Sequence, residues 1–440
     1  MNLPLIQRYA PDLPLAWRAG RFVPQGEFVA HVLALADALP GAPAALNLCE
    51  DRYRFTVAFA ALLVRGQANL LPPANAKGLL ADVAHQHPGC YALVDEGAAV
   101  PDGLPVVRVQ IDETAAIAPA CPTVPASRTA LLAFSSGTTG APRGFPKTWG
   151  ALVATAALAA NRFIGDAPGP TIVATVPPQH MYGLETTVTL PLTSGARVHA
   201  GRPFFPRDVA VALDEVPAPR VLVTTPLHLR ACLQAGSAWP AVHLVVSATA
   251  PLGADLAAGI EQWAGTQVHE IFGCTEAGSM ASRRTVATDQ WQLHPGMRIA
   301  PDDDGARVHA PHLGEVIRLQ DRVELLGTDA FRFLGRADDM LKVAGKRASL
   351  ADLTRRLLSI PGVEDAAVFL PDVAGAGEQR PAALVVAPTL QTSDIGAALE
   401  AQVDAVFVPR PIVRVARLPR DGVGKLPRAA LLAELAKAHG

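Results

Sequence analysis

The chain has almost no excess charge of either sign. Over 440 residues, 38 basic side chains stand against 40 acidic ones, a formal net charge of −2. That balance gives no electrostatic case for nucleic acid or an anionic membrane as a partner. Cysteine is sparse and scattered: Cys49, Cys90, Cys121, Cys232 and Cys274 form an odd set with no CxxC pair. Such a set reads as reduced thiols, not as a disulfide frame or a zinc site. No apolar run reaches the ~18 residues that span a bilayer; the nearest, Ala151 to Ala160, stops at Asn161–Arg162. Met1 to Arg8 lack a basic segment followed by an apolar core, so no secretory leader is expected and the expected location is cytoplasmic. Internal repeats and low-complexity tracts are missing as well. What remains is a soluble, half-hydrophobic chain, long enough for two or three domains.

One stretch stands out. Ala130 to Phe134 is an apolar run that reads as a buried strand, and it delivers the chain into Ser135-Ser136-Gly137-Thr138-Thr139-Gly140-Ala141-Pro142-Arg143-Gly144. That segment holds no large apolar residue. Its glycines let the backbone approach a ligand with N–H groups turned inward, its hydroxyls add donors, and Arg143 supplies the cation a polyphosphate needs. The P-loop NTPase signature is absent, because no Lys-Ser/Thr follows the last glycine. Taken alone, the stretch is equally a flexible, solvated loop.

The surroundings give it context. Apolar strands and amphipathic helices alternate from Asn47 through Phe272, the pattern of a largely parallel sheet covered by helices. Strands are expected at 171–176, 196–200, 220–224, 243–247 and 268–272, and helices at 148–160, 226–234 and 252–263. Four polar loops follow such strands: Ser135 to Gly144, Gln179 to Tyr182, Ser247 to Pro251, and Gly273 to Glu276. Ligands of open α/β sheets bind beyond the carboxyl ends of strands, so the four loops are expected to converge on one site. After residue 300 the character changes. A hairpin is expected around Gly327-Thr328-Asp329, then a helix capped by Ser349 with Leu350, Leu353, Leu357 and Ile360 on one face. A helix over 395–407, a strand over 412–418 and a last helix from Arg428 complete a small α+β unit.

In this order the motifs resemble the adenylate-forming superfamily of acyl-CoA synthetases, peptide-synthetase adenylation domains and luciferases. The resemblance runs from about Asn47 to the C-terminus. It implies an α/β fold with a large N-terminal domain (residues 1–335) of parallel and mixed sheets covered by helices. A small mobile α+β domain (336–440) would turn about a hinge at Asp338. By resemblance, Ser135, Ser136, Gly137, Thr138, Thr139, Gly140 and Arg143 hold the ATP phosphates, with Arg143 where the family usually has Lys. Phe272-Gly273-Cys274-Thr275-Glu276 matches the aromatic-Gly-x-Thr-Glu motif, making Thr275 a phosphate contact and Glu276 the Mg²⁺ ligand. Asp321 would take the ribose hydroxyls, although the family's preceding Thr-Gly is missing. Gly335-Arg336-Ala337-Asp338 fits the hinge motif, with Arg336 near ribose and phosphate. Lys425, in Asp421-Gly422-Val423-Gly424-Lys425, matches the catalytic lysine.

The acyl pocket implied by the resemblance draws on Ser247, Ala248 and Thr249, with Ala250 against adenine. His180 either joins that pocket or is a satisfied loop histidine. Gly345 matches the glycine beside the pantetheine tunnel. The expected activity is coupling of a small carboxylic acid to AMP, then transfer to the thiol of CoA or of phosphopantetheine on an acyl carrier protein. Gly278 to Arg283 and Gly345 to Leu350 resemble compact ligases of aryl-polyene and xanthomonadin-type pigment pathways, which load hydroxybenzoate-like acids. A medium-chain fatty acid or an aryl acid joined to CoA is the alternative within the class. A non-catalytic adenylate-binding protein is the alternative outside it. Lys425→Ala is expected to abolish acyl-adenylate formation while sparing thioester formation from supplied adenylate, and equal loss in both half-reactions would contradict that role.

Overall fold

The computed structural model describes the chain apart from residues 73, 97, 137–141, 166–168, 337–339, 344–345, 372–379, 421–425 and 438–440. Two large sheets carry the N-terminal part. The first has six strands in the order Pro142–Thr148, Thr129–Ser136, Ala68–Leu71, Ala44–Asn47, Tyr91–Val94 and Val106–Arg108. All neighbours are parallel except the first pair, an antiparallel hairpin. The second has eleven strands. Its parallel centre runs from Gln267–Cys274 through Leu244–Ser247, Arg220–Thr224, Thr171–Ala174 and Arg197–His199 to Pro14–Arg18. Antiparallel strands extend both edges.

The helices begin and end for local reasons. Asp51 caps Arg52–Arg65 by accepting from the Arg54 N–H at 2.8 Å, and Gly66 ends it in the left-handed region at φ 83°. Thr148 caps Trp149–Phe163, accepting from Ala151 at 3.2 Å. Arg52–Arg65 is apolar nearly all round, with Phe55, Val57, Phe59, Leu62 and Leu63 fully buried, as expected of a helix packed on several sides. Between Met181 and Ser194 the helix widens into a π segment at Glu185–Thr189, a feature often found at functional sites.

The C-terminal part has its own core. Leu350–Leu358, capped by Ser349 as expected, packs on a three-stranded sheet of Asp365–Phe369, Ala382–Val386 and Ile412–Arg414. The final helix, Arg428–Lys437, covers the other face of that sheet through Leu431 and Leu435. Three sequence expectations change. The helix predicted over 395–407 is Thr392–Glu400 followed by a 3₁₀ turn at Ala405–Phe407, because Asp404 caps that turn by accepting from the Val406 N–H. The strand predicted over 412–418 covers only Ile412–Arg414. Pro142 to Gly144, read as the end of the phosphate loop, is already strand.

Arg52 joins the two sheets. Its guanidinium is completely buried and donates to Thr187 Oγ1 at 2.6 Å and to the carbonyls of Ala174 and Val176 at 2.9 and 3.0 Å. Burial lowers its pKa to about 9. Arg52→Met leaves those acceptors unpaired, so unfolding free energy is expected to fall by roughly 2–5 kcal/mol in urea titration. A loss well under 1 kcal/mol would show that the carbonyls find other donors.

Candidate active site

The carboxyl ends of the parallel strands carry the loops singled out by sequence. Thr129–Ser136 and Pro142–Thr148 form the hairpin that holds the Gly-rich segment, and Arg143 lies directly across from Ser135. The Arg143 side chain is exposed, with its guanidinium 5.2 Å from the Phe145 ring centroid. Gly137, Thr138, Thr139 and Gly140 lie outside the described residues, as do Asp338, Gly345 and Lys425. Ser135, Ser136 and Arg336 are placed by their backbone only.

The second sheet supplies the facing wall. Gln267–Cys274 carries Phe272 and Gly273 into Thr275 and Glu276, both half-buried. The Phe272 ring packs 5.3 Å from Trp291 and from Phe331 and 5.9 Å from Phe333, which fixes the strand just before the turn. Glu276 has no ion pair among the described residues, and burial, then the neighbouring Glu276, raises the Cys274 thiol to about 12. A half-buried carboxylate whose oxygens form no ion pair among the described residues suits a hard cation such as Mg²⁺, which takes oxygen ligands and keeps several waters. Asp321 and Arg336, separated by fifteen residues, are register partners in the adjoining hairpin, so the two ribose candidates come together.

The acyl-side loop is strained and firmly backed. Thr249 has φ 79°, a conformation costly for a β-branched residue and characteristic of functional sites. Ser247 is fully buried, and its Oγ has no hydrogen-bond partner among the described residues. Ala248 is buried and Ala250 half-buried. Tyr182 OH donates to the carbonyls of Val246 at 2.8 Å and Thr224 at 3.2 Å, tying two strand ends together. Glu270, buried, accepts from the Leu252 N–H at 2.8 Å and pairs with Arg283 at 2.7 Å, anchoring the loop's far end. His180 is half-buried at the start of Met181–Leu184. Just upstream, Gln179 Nε2 donates to Cys49 O at 2.5 Å, a bond across the two sheets. Arg420, five residues before Lys425 in the sequence, forms a two-pronged pair with Asp365, at 2.9 and 2.7 Å.

Sequence reasoning missed two charged groups behind this wall. Lys147 is buried and donates to the Glu276 carbonyl. Glu185, on the π segment, is buried and accepts from the Ser279 N–H at 3.0 Å. Gly278 has φ 76° and lies against Glu185, where a Cβ would collide with the carboxylate. The signal for Glu185 was its isolation in an otherwise uncharged run from Met181 to Gly195; Lys147 gave none.

Burial pushes the Glu185 pKa up to about 7, against the Ser279 N–H and Lys147, which lower it. The folded protein therefore keeps this proton between the ordinary 4.5 and about 7, whereas the unfolded chain releases it. Its stabilising contribution is complete below 4.5 and is lost as pH rises through about 7. Relative to Glu185→Gln, the wild-type chain is expected to lose stability over that interval and run parallel above it. Curves parallel throughout, in urea unfolding from acid to pH 8, would contradict the shift.

Comparison with known proteins agrees with this layout. The AMP-binding enzyme family profile matches residues 43–322. The chain is 32% identical over 286 residues to 4-coumarate–CoA ligase of Rhodobacter capsulatus, covering 63% of this chain and 69% of that one. To 4-coumarate–CoA ligase of Halorhodospira halophila it is 30% identical over 317 residues, covering 68% and 75%. O-succinylbenzoate coenzyme A synthetase from Bacillus subtilis, solved with AMP, shares the fold with a TM-score of 0.81 at 18% identity, covering 98% of each chain. Among the described residues, no helix is long and apolar enough to cross a membrane.

Proposed function

The chain belongs to the AMP-binding enzyme family and is an AMP-forming acid–thiol ligase, and we propose that its acid is an aromatic, hydroxybenzoate-like carboxylate. The acceptor in this reading is a phosphopantetheine thiol, carried by CoA or by an acyl carrier protein. The observation that carries the aromatic assignment is the Ser247–Ala250 wall. Ala248 and Ala250 leave room for a flat ring, Tyr182 stiffens the strands beneath them, and the buried Ser247 hydroxyl has no partner of its own among the described residues. In this reading His180, half-buried, and Thr249, exposed, are candidates to meet a ring hydroxyl. The names of the 4-coumarate and 2-succinylbenzoate ligases among its relatives also support an aromatic acid.

The chemistry divides into two balanced steps. A carboxylate oxygen attacks the α-phosphorus of ATP and pyrophosphate leaves; the thiol then attacks the acyl carbon and AMP leaves. Binding and orientation supply most of the first step. In this proposal the 135–143 hairpin and Thr275 hold the phosphates, Asp321 and Arg336 take the ribose, and Ala250, Phe272 and Gly273 border adenine. Lys425 offsets charge on the reacting oxygens. Mg²⁺, held by Glu276, would add further charge neutralisation there. Residues 336–440 would turn about Asp338 between the steps, clearing Lys425 from the thiol path beside Gly345.

ATP–pyrophosphate exchange across hydroxybenzoates, cinnamates and medium-chain fatty acids tests the assignment. Hydroxybenzoates are expected to give kcat/KM at least ~10-fold above fatty acids. Preference for fatty acids would overturn the aromatic reading, and no exchange with any acid would leave a non-catalytic adenylate-binding protein. Supplying the best acid with CoA and with a phosphopantetheinylated carrier then decides the acceptor.

A further inference from the structure

We infer that Lys147 is a positioning residue for this reaction, holding Glu276 in place from behind through its main-chain carbonyl. The inference rests on the metal role proposed for Glu276. Lys147 belongs to the returning strand of the phosphate hairpin, whereas Glu276 follows the Gln267–Cys274 strand of the other sheet. One hydrogen bond therefore ties the phosphate-binding hairpin to the turn that presents the metal ligand. A surface lysine would not do this. Lys147 is 9% exposed, forms no ion pair among the described residues, and donates to the Glu276 carbonyl.

The groups that face Lys147 come from three further elements. Glu185 approaches from the π segment, Cys274 and Glu276 from the strand end, and Glu315 and His312 from the loop after Ala310. Desolvating an ammonium is costly unless charge and hydrogen bonds compensate, and here the acidic neighbours supply the charge while a carbonyl takes the bond. The turn is gripped on its other side too. Glu185 accepts from Ser279 N–H, and Ser279 Oγ lies 3.0 Å from His294 Nε2. Residues 276 to 279 are thus fixed at both ends by side chains from outside their own strand. A carboxylate that must meet a cation and a triphosphate together needs such support, as groups behind metal ligands generally do.

The test measures, in the full chain, the Mg²⁺ concentration for half-maximal ATP–pyrophosphate exchange and, without turnover, the Mg²⁺ dependence of ATP binding by calorimetry, and the two are expected to move together. Lys147→Met is expected to raise the Mg²⁺ requirement roughly 10- to 100-fold while the KM for the acid changes by no more than about twofold. Lys147→Arg, which keeps a cationic donor, is expected to restore part of the loss. A folded Lys147→Met with normal Mg²⁺ dependence would overturn the inference. Should that variant fail to fold, Lys147→Met combined with Glu185→Gln removes both buried charges together. If the pair shows a raised Mg²⁺ requirement, the carbonyl bond is what matters; a wild-type requirement would reduce Lys147 to a counter-charge for Glu185 and overturn the inference. Glu276→Gln separates the two levels. Unchanged Mg²⁺ dependence there overturns the metal role beneath the inference, whereas a raised requirement with Lys147→Met normal overturns Lys147 alone.

Discussion

Two sheets built from different stretches of chain must keep their strand ends against each other, and nearly everything distinctive in this molecule serves that constraint. Among the described residues, three side chains make four bonds to main-chain carbonyls across the junction. Arg52 reaches Ala174 and Val176, Gln179 reaches Cys49, and Lys147 reaches Glu276. Each joins an element of the first sheet to a strand end or loop of the second. Carbonyls at the ends of parallel strands lack ladder partners, and leaving them buried and unpaired is expensive. The same bonds that satisfy these carbonyls also set the spacing of the cleft between them.

The choice of donors has a consequence for charge. Arg52 and Lys147 are buried cations that meet carbonyls, not carboxylates, among the described residues. At Lys147 the neighbouring Glu185, Glu276 and Glu315 offset the charge without taking the hydrogen bond. Where burial calls for a full ion pair, as with Glu270 and Arg283, the pair lies off the strand ends and braces the Ser247–Leu252 loop instead. The strained Thr249 sits within that braced loop, so the rigidity around it is what sustains an unfavourable backbone.

Much of this was legible in the sequence, for physical reasons. Buried parallel strands are continuous apolar runs, so Arg220–Thr224 matches its predicted limits. Ser349 caps its helix because its hydroxyl can reach the Asp352 N–H. The hairpin expected around Gly327-Thr328-Asp329 is present, and it sets Asp321 across from Arg336. Other parts were hidden. Pro14–Arg18 joins the second sheet beside Arg197–His199, a pairing over some 180 residues that no local pattern encodes. The antiparallel strands Gly278–Arg284 and Gln290–Leu293 alternate too weakly to announce themselves. Lys147, between Pro146 and a helix cap, looks like a solvated residue until tertiary packing buries it. Residues whose role is to hold another residue's main chain leave no motif.

The central claim is that this cleft joins a carboxylate to the α-phosphate of ATP. Turnover of a hydroxybenzoate carrying ¹⁸O in both carboxylate oxygens, with the AMP examined by mass spectrometry, tests it most directly. Acyl-adenylate chemistry predicts that one labelled oxygen is found in AMP after the thiol has taken the acyl group. Unlabelled AMP, or ADP with the label in inorganic phosphate, would contradict the account.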